Sequence, residues 1–531
     1  MGTRIYRTET ENARSIPEPW RTSSFVVRLA AVLVASVAFA GVILITEPPG
    51  PGLDPDAASY LGAAESWVAG TGFRVPTARW DSPDSTQRLA HFPPGFPRAI
   101  AMPHALGLPA PQAARLVEAI AAFFTFAILI TLVGDAAGVV PALVAGVLLA
   151  LTPAMTTVHL SVLSEPLFLA CSALTLLAMV RVPTKPWWSG LAAAAAVMVR
   201  YAGVSAGMAA TLWAFAQPAT FTKRLRRAVI AGLPTLVAVM GWTLALRSAP
   251  SEDSVRRFAI YGDLGPTLAL GRTTVIEWLA PSGDPLPFAG WIAAGALVVL
   301  LALLVRGTRL HLAGARAGTE RDVIAIRTLA AFATLASTYL AVLFASRLLA
   351  DPDIPLDERL LVPLMVLVVC AAVIAGARWW MAQEGTTRGM VARGALAAVL
   401  VAWGAAALAR VRDDVQWTSE FGSDFASDQW RRSPLIEWGR TDARDVALFS
   451  NWPVVGYFHL GRPVRELPET YDARVLRAFG DTLRRRKGII LGFNAPSPGM
   501  VNPDSLARLL GLRELGRFDD GRAWGPPIPT P

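Results

Sequence analysis

The sequence predicts a mainly α-helical fold. It reads as a polytopic transmembrane helical bundle, N-terminus inside, with a small C-terminal α/β domain on the outer face. Three observations predict this. Apolar residues make up 53% of the chain and charged residues 17%, where soluble domains hold about a quarter charged. Apolar runs near or beyond the roughly 18 residues that cross a bilayer recur from Phe25 to Ala409. From about Arg410 the texture changes to acids, turn residues and alternating segments. The 531 residues divide accordingly into a cytoplasmic tail (1–24), a membrane domain (25–409) whose first outer loop is 47–111, and an extracytoplasmic domain (410–531).

The first span is expected at Phe25–Thr46. It is longer than the apolar core of a cleavable signal, and no clear small-residue cleavage site comes after it, so it reads as retained. Arg4, Arg7, Arg14 and Arg21 before it keep the tail inside. In the outer loop a helix is expected over Asp56–Ala69, because Ala57, Tyr60, Leu61, Ala64 and Val68 recur at helical spacing. Its apolar face is expected to lie on the membrane surface. Gly70-Thr71-Gly72 ends it. Pro93, Pro94 and Pro97 fix an extended turn ahead of a short helix near Arg98–Leu106.

Spans two to four are expected at Ala113–Val133, Val139–Leu151 and Glu165–Met179, with a polar break over Thr152–Ser164. Trp187–Phe215 is apolar but lies between two basic groups, Arg181 and Lys185 before it, Lys223, Arg224, Arg226 and Arg227 after it. A single span cannot begin and end on one side. Two short helices turning near Arg200-Tyr201-Ala202-Gly203 can. Further spans are expected at Ala228–Leu246, Pro287–Val305, Thr328–Ser346, Arg359–Ala377 and Gly394–Ala409, for a total of about eleven. In the C-terminal domain, strands are expected over Val446–Asn451 and Gly488–Phe493, with an amphipathic helix over Arg474–Arg486.

The net charge of +9 belongs to the inner loops, which are short and basic as the positive-inside rule requires. These arginines flank spans rather than line a stripe, which argues against nucleic acid and for a lipid bilayer as the partner. Cys171 and Cys370 lie inside apolar runs without metal-ligand spacing.

The most polar and most sharply punctuated part of the first half is Asp54–Pro97. Asp54 and Asp56 open its helix. A carboxylate there can act as a general base, ligate a metal or cap the helix, and the residues alone leave these open. Arg200 stands in the middle of an apolar segment, where it needs water, an anion or a partner such as Glu165. Arg359 has Asp357 and Glu358 as neighbours to pair with. His91 is a lone histidine in the central stretch, and Tyr60 fits packing on its helix better than sugar binding.

Five motifs in order resemble the C-type membrane glycosyltransferases, which include bacterial relatives of protein O-mannosyltransferases and the lipid A aminoarabinose transferase. They are Asp56 with Tyr60, Gly70-Thr71-Gly72 and Phe92-Pro93-Pro94-Gly95-Phe96-Pro97; Leu163-Ser164-Glu165-Pro166-Leu167; Val199-Arg200-Tyr201-Ala202-Gly203; Glu358-Arg359 with Pro363-Leu364; and Phe449-Ser450-Asn451-Trp452-Pro453 with Leu460-Gly461-Arg462-Pro463. The resemblance implies a glycosyltransferase in the cell inner (plasma) membrane. It would move a hexose or pentose from a polyprenyl-phosphate donor to a glycan, lipid or protein acceptor at the outer face, usually with inversion. Asp56 would be the base, and Arg200 and Arg359 would bind the donor phosphate. Glu165, His91, Tyr60 and Tyr201 would support them or touch substrate. Where the family's best-studied members have Asp-Glu, this chain has Asp56-Ala57. Either Asp54 supplies the second acid or the chemistry runs without a divalent metal such as Mg or Mn. A transporter or flippase is the competing reading, against which stands the lack of repeated halves. A non-catalytic partner in envelope glycan assembly is another.

Overall fold

The computed structural model describes residues 24–47, 49–247, 259–281, 320–351, 354–382, 387–497 and 499–526. The expected span at Pro287–Val305, Arg256 and Arg257, the basic loop with Arg306, Arg309 and Arg316, nearly all of the N-terminal tail and most of the Pro-rich end lie outside these residues.

The apolar runs form helices close to where they are expected. They are α1 (Ser24–Ile45), α4 (Ala110–Ala137), α5 (Val139–Ala150), α7 (Glu165–Arg181), α10 (Phe221–Arg247), α12 (Glu320–Leu349), α13 (Glu358–Ala382) and α14 (Thr387–Phe421). Between the first and fourth of these lie α2 (Pro55–Val68), α3 (Gly95–Ala105) and α6 (Pro153–Leu160). The hairpin is α8 (Pro186–Val199) and α9 (Val204–Ala216), and α11 (Gly265–Leu279) precedes α12. Among the described residues six helices are long and apolar enough to cross a membrane, or seven if α5 and α6, bent by 64°, count as one span. The other expected spans fall on the shorter α7, α8 and α9 or outside the described residues.

The bundle has a buried centre and an apolar rim. The apolar stretches of α4, α12 and α13 are mostly buried, while α1, α10 and α14 expose theirs. Phe25, Leu29, Leu33 and Val37 on α1 and Val229, Leu233 and Val237 on α10 face outward, as a lipid-facing surface requires. Small residues let the inner helices approach. A Cβ on Gly190 would stand 2.4 Å from the Ala231 carbonyl oxygen of α10.

Two local expectations change. The Thr152–Ser164 segment is not a plain polar break: Pro153 opens α6, where its missing N–H costs nothing, and only Thr152 and residues 161–164 are non-helical. And α2 does not lie on a membrane surface. Ala57, Tyr60, Leu61 and Ala64 pack into the bundle core, Ala58 into the core of the C-terminal unit, and Ala63 against Val75 and Leu89. Protein, not lipid, covers the apolar face.

The C-terminal unit is built on a six-stranded sheet. Its strands are β2 (Thr77–Ala78), β4 (Leu448–Ser450), β5 (Val464–Glu466), β6 (Ile489–Phe493), β7 (Arg513–Phe518) and β8 (Gly521–Gly525), in the order β2-β5-β4-β6-β8-β7. The first four strands in that order pair in parallel and the last two antiparallel. Alternating side chains feed the two faces: Leu491 and Phe493 join one core, while Ile490 joins another with Phe449, Leu476, Phe479 and Leu483. The last three of these lie on the helix Ala473–Arg485, capped by Asp472. Strand β2 comes from the segment between α1 and α4, and a short ribbon, β1 (Arg74–Val75) with β3 (Gln87–Arg88), flanks it. The first loop is thus part of the C-terminal sheet, and α14 runs unbroken through Arg410 to Phe421 before that unit begins.

Candidate functional site

The site forms at the end of the bundle that carries the C-terminal unit. It is built on three extended segments. Gly52-Leu53 bridges Ser161 on one side and Asp424 on the other. The Gly52 amide donates to the Leu160 carbonyl at 2.8 Å, the Val162 amide to the Gly52 carbonyl at 2.8 Å, and the Phe425 amide to the Leu53 carbonyl at 3.0 Å. A Cβ on Gly52 would come within 2.4 Å of Ser161 Oγ and 3.1 Å of the Ser161 and Ser423 Cβ atoms, so any larger residue would have to turn the Ser161 hydroxyl aside and crowd both serines.

Asp54 comes directly after and is the N-cap of α2. Its Oδ1 accepts the Ala57 amide at 2.9 Å, with Pro55 as the first helical residue. Capping therefore belongs to Asp54, and Asp56 is released from that duty. The Asp56 side chain is 34% exposed.

The carboxylates converge on Arg359, the second residue of α13. Its Nη1 donates to Asp54 Oδ2 at 2.8 Å, its Nη2 to Asp56 Oδ2 at 3.0 Å and its Nε to Glu165 Oε1 at 3.1 Å. The expected pairing of Arg359 with Asp357 or Glu358 is not among these contacts. Asp357 accepts the Leu360 amide at 2.9 Å and so caps α13, and Glu358 accepts from Thr157 Oγ1 at 3.4 Å. Helix geometry explains this, since successive residues point to different faces.

Glu165 Oε1 also meets Arg200 Nη1, at 2.7 Å. Arg200 stands in extended conformation between α8 and α9, at the turn the basic flanks predict. It donates to Ser164 Oγ at 3.0 Å, and that hydroxyl lies 3.2 Å from Tyr60 Oη. Tyr60 is buried, with Phe92 and Phe96 at ring distances of 4.8 and 5.0 Å. The Pro-Pro-Gly turn thus grips Tyr60. It also seats α3 against the end of α8, where a Cβ on Gly95 would fall 2.4 Å from the Met198 carbonyl oxygen.

Of the predicted residues, Asp54, Asp56, Glu165, Arg200, Arg359 and Tyr60 come together. Tyr201 donates to the Ala90 carbonyl at 3.3 Å and accepts from Trp242 Nε1 at 3.0 Å, so it ties the hairpin to the central stretch and to α10. His91 is exposed, edge-on to Phe92 at 4.6 Å. Sequence reasoning gave Ser164 no contact of its own, offered Asp357 as a partner for Arg359 rather than as a cap, and passed over Tyr339, whose hydroxyl donates to the Leu360 carbonyl at 2.6 Å. Asp357 was legible as an Asp three residues ahead of a helical amide.

Burial, reinforced by Asp56 alongside, pushes the Asp54 carboxyl up to about 8, with Arg359 pulling the other way. The upward direction holds because Asp54 shares its guanidinium with two other carboxylates. Burial also raises the Tyr60 phenol well above its usual range. A divalent ion does not fit this arrangement. Asp54, Asp56 and Glu165 close on a guanidinium rather than on an open position, and among the described residues no three His, Cys, Asp or Glu side chains form a metal-holding group.

Comparison with known proteins gives a family match to part of the chain and one shared fold. Residues 91–243 match the family model described as dolichyl-phosphate-mannose-protein mannosyltransferase, a segment that holds Ser164, Glu165 and Arg200 but neither aspartate nor Arg359. No curated protein matches the chain by sequence. Among solved structures, ArnT from Cupriavidus metallidurans in the apo state is similar at TM-score 0.50 and 13% identity, over 95% of this chain and 99% of that one. The arabinofuranosyltransferase AftD from Mycobacteria is similar at TM-score 0.50 and 16% identity, over 96% of this chain and 42% of that one. The apo oligosaccharyltransferase of Archaeoglobus fulgidus is similar at TM-score 0.50 and 11% identity, over 88% of this chain and 69% of that one. With the motifs in order and the apolar helices in place, this chain shares the fold of these membrane proteins, and residues 91–243 are similar to the mannosyltransferase family model.

Proposed function

We propose that the protein transfers a sugar from a polyprenyl-phosphate-linked donor to an acceptor hydroxyl at the outer face of the inner membrane. The observation that carries this reading is the chain of contacts Asp56–Arg359–Glu165–Arg200. It puts a partly exposed carboxylate and two guanidinium groups within one connected cluster. A base for the acceptor and cations for a phosphate are the two things such a transfer needs. The family model matched by residues 91–243 names dolichyl-phosphate-mannose, a sugar on a lipid phosphate, which supports this reading.

The reaction is a single displacement. The acceptor hydroxyl gives its proton to Asp56 as its oxygen attacks the anomeric carbon. The bond from that carbon to the phosphate oxygen breaks, and its electron pair stays with the lipid phosphate. The anomeric centre is inverted. The phosphate gains charge as it leaves, and guanidinium stabilises it through paired N–H donors. Arg359 commits three N–H directions to carboxylates, out of five on a guanidinium. An arriving phosphate therefore competes with Asp54 and Asp56 for it. Each N–H that turns to phosphate loosens the hold on Asp56 and makes it a better base. Donor binding before acceptor activation is the expected order.

The test is Asp56→Asn in purified, reconstituted protein supplied with a polyprenyl-phosphate sugar and candidate acceptors. Loss of a positioned base costs about 10²–10⁴-fold. Transfer at the wild-type rate by a folded Asp56→Asn protein would remove Asp56 from the reaction.

A further inference from the structure

Glu118 stands in the third turn of α4 and is completely buried. A carboxyl inside a bundle is costly to keep without a purpose. Its Oε1 accepts the Leu163 amide at 2.9 Å, and its Oε2 is buried with no hydrogen-bond partner. Leu163 lies in the short break between α6 and α7, two residues before Glu165. The break has no ladder of its own to satisfy its amides. Gly52 takes the Val162 amide and Glu118 takes the next one. The two residues after Leu163 are Ser164, which meets Arg200 and Tyr60, and Glu165, which meets both arginines.

We propose that Glu118 is a positioning residue for this site: its carboxyl oxygen pins the Leu163 amide and thereby sets the direction in which Ser164 and Glu165 hold Arg200 and Arg359. The inference rests on the proposed function for what the arginines bind, not for the pin itself. The pin needs an acceptor at the right reach, not a negative charge. Asp54 sets the start of α2 by a cap of the ordinary kind. Glu118 does the equivalent for α7 from a different helix, 45 residues away in the chain.

Two substitutions separate reach from charge. Glu118→Gln keeps an acceptor oxygen at full reach and removes the charge. Glu118→Asp keeps the charge and withdraws the oxygen by one methylene. Both proteins, in nanodiscs, are read by hydrogen exchange of the peptide spanning 161–165, by binding of undecaprenyl phosphate, and by thermal unfolding as a check on folding. The expected result is that Glu118→Gln matches wild type within about twofold in exchange and affinity. Glu118→Asp exchanges the Leu163 amide at least ~10-fold faster and binds undecaprenyl phosphate at least ~10-fold more weakly, since a buried amide loses its acceptor. The reverse ranking, or two variants alike, overturns the proposal. If wild type itself does not bind undecaprenyl phosphate, the donor reading falls, while the exchange ranking still decides the role of Glu118.

Discussion

Arginines do two different jobs at the two sides of the first loop. On the bundle side, Arg359 and Arg200 meet carboxylates: Asp54, Asp56 and Glu165. On the C-terminal side, Arg465 meets backbone carbonyls. It is 6% exposed and donates to the carbonyls of Arg79, Ser82 and Pro83 at 3.1, 2.7 and 3.3 Å, while Arg486 donates to the Ser82 carbonyl at 3.0 Å. Arg462 similarly reaches the Val446 and Gly439 carbonyls at 3.3 and 3.1 Å. A carbonyl can neither take up a proton nor be exchanged for a substrate group. A carboxylate with access to solvent can do the first, and its guanidinium can accept a phosphate in its place. Arg465 and Arg486 fix the first loop and Arg462 the C-terminal unit, while under the proposed function the carboxylate-bound arginines are the ones that exchange a partner for phosphate.

Arg359 is where this contrast breaks most sharply. Arg359→Ala leaves Asp54 and Asp56 side by side without a cation and Glu165 with Arg200 alone, and transfer should fall by about 10³-fold, at the upper end for loss of one fixed donor group. Arg359→Lys keeps the charge but cannot serve three carboxylates in a fixed fork, and it should recover no more than about a tenth of wild-type activity. Rates and undecaprenyl-phosphate affinity measured on both variants check this. A Lys variant at full activity would mean that Arg359 acts as a point charge and not as a geometric hub.

Arg465→Ala sharpens the comparison from the other side. It strands the Arg79 and Pro83 carbonyls and leaves Ser82 only Arg486, and its strand still pairs with β2 through Ala78. Each buried group left without its partner costs about 1–3 kcal/mol, so thermal stability should drop clearly. The rate per folded molecule should stay within about threefold of wild type, as for a group that touches no substrate. A stable variant with a collapsed rate would place Arg465 in the chemistry and erase the distinction.

The legible parts of the fold were those in which local chemistry decides the structure. The basic flanks of Trp187–Phe215 allow only a returning hairpin, and Arg200 stands at its turn. Long apolar runs become helices whatever covers them. The less legible parts depend on what does the covering. The i, i+3, i+4, i+7 face of α2 looks the same whether lipid or protein lies against it, and here protein does. Strand β2 is two residues long and pairs with residues nearly 390 positions away, beyond any local pattern. In the site, the residue types were readable but the pairing was not. Asp357 and Glu358 are Arg359's neighbours in sequence, yet its partners come from the start of α2 and the start of α7. Glu118 carried a signal that went unused: one acid in the middle of an apolar run has to meet something.

The smallest effect expected is one of pH, and it divides the two aspartates. Burial and Asp56 raise the Asp54 carboxyl to about 8, above its ordinary value near 3.8. A raised acid favours the folded state in its protonated form. Its stabilising contribution is full below the unfolded value and is lost as pH rises from there through about 8. Asp54→Asn keeps its one oxygen as the capping acceptor for the Ala57 amide, since Asn caps as well as Asp, and turns an amide NH2 in place of the second oxygen toward Arg359, a loss that is the same at every pH because the amide does not titrate. The melting temperature of Asp54→Asn relative to wild type should therefore climb between pH 5 and 8 and level off above about 8. Thermal unfolding of both proteins across that range is the measurement. If the difference stays flat, Asp54 is already ionised at neutral pH and Arg359 governs it more strongly than burial does. If the difference climbs, Asp54 is held as the neutral cap of α2, set apart from the general base proposed at Asp56.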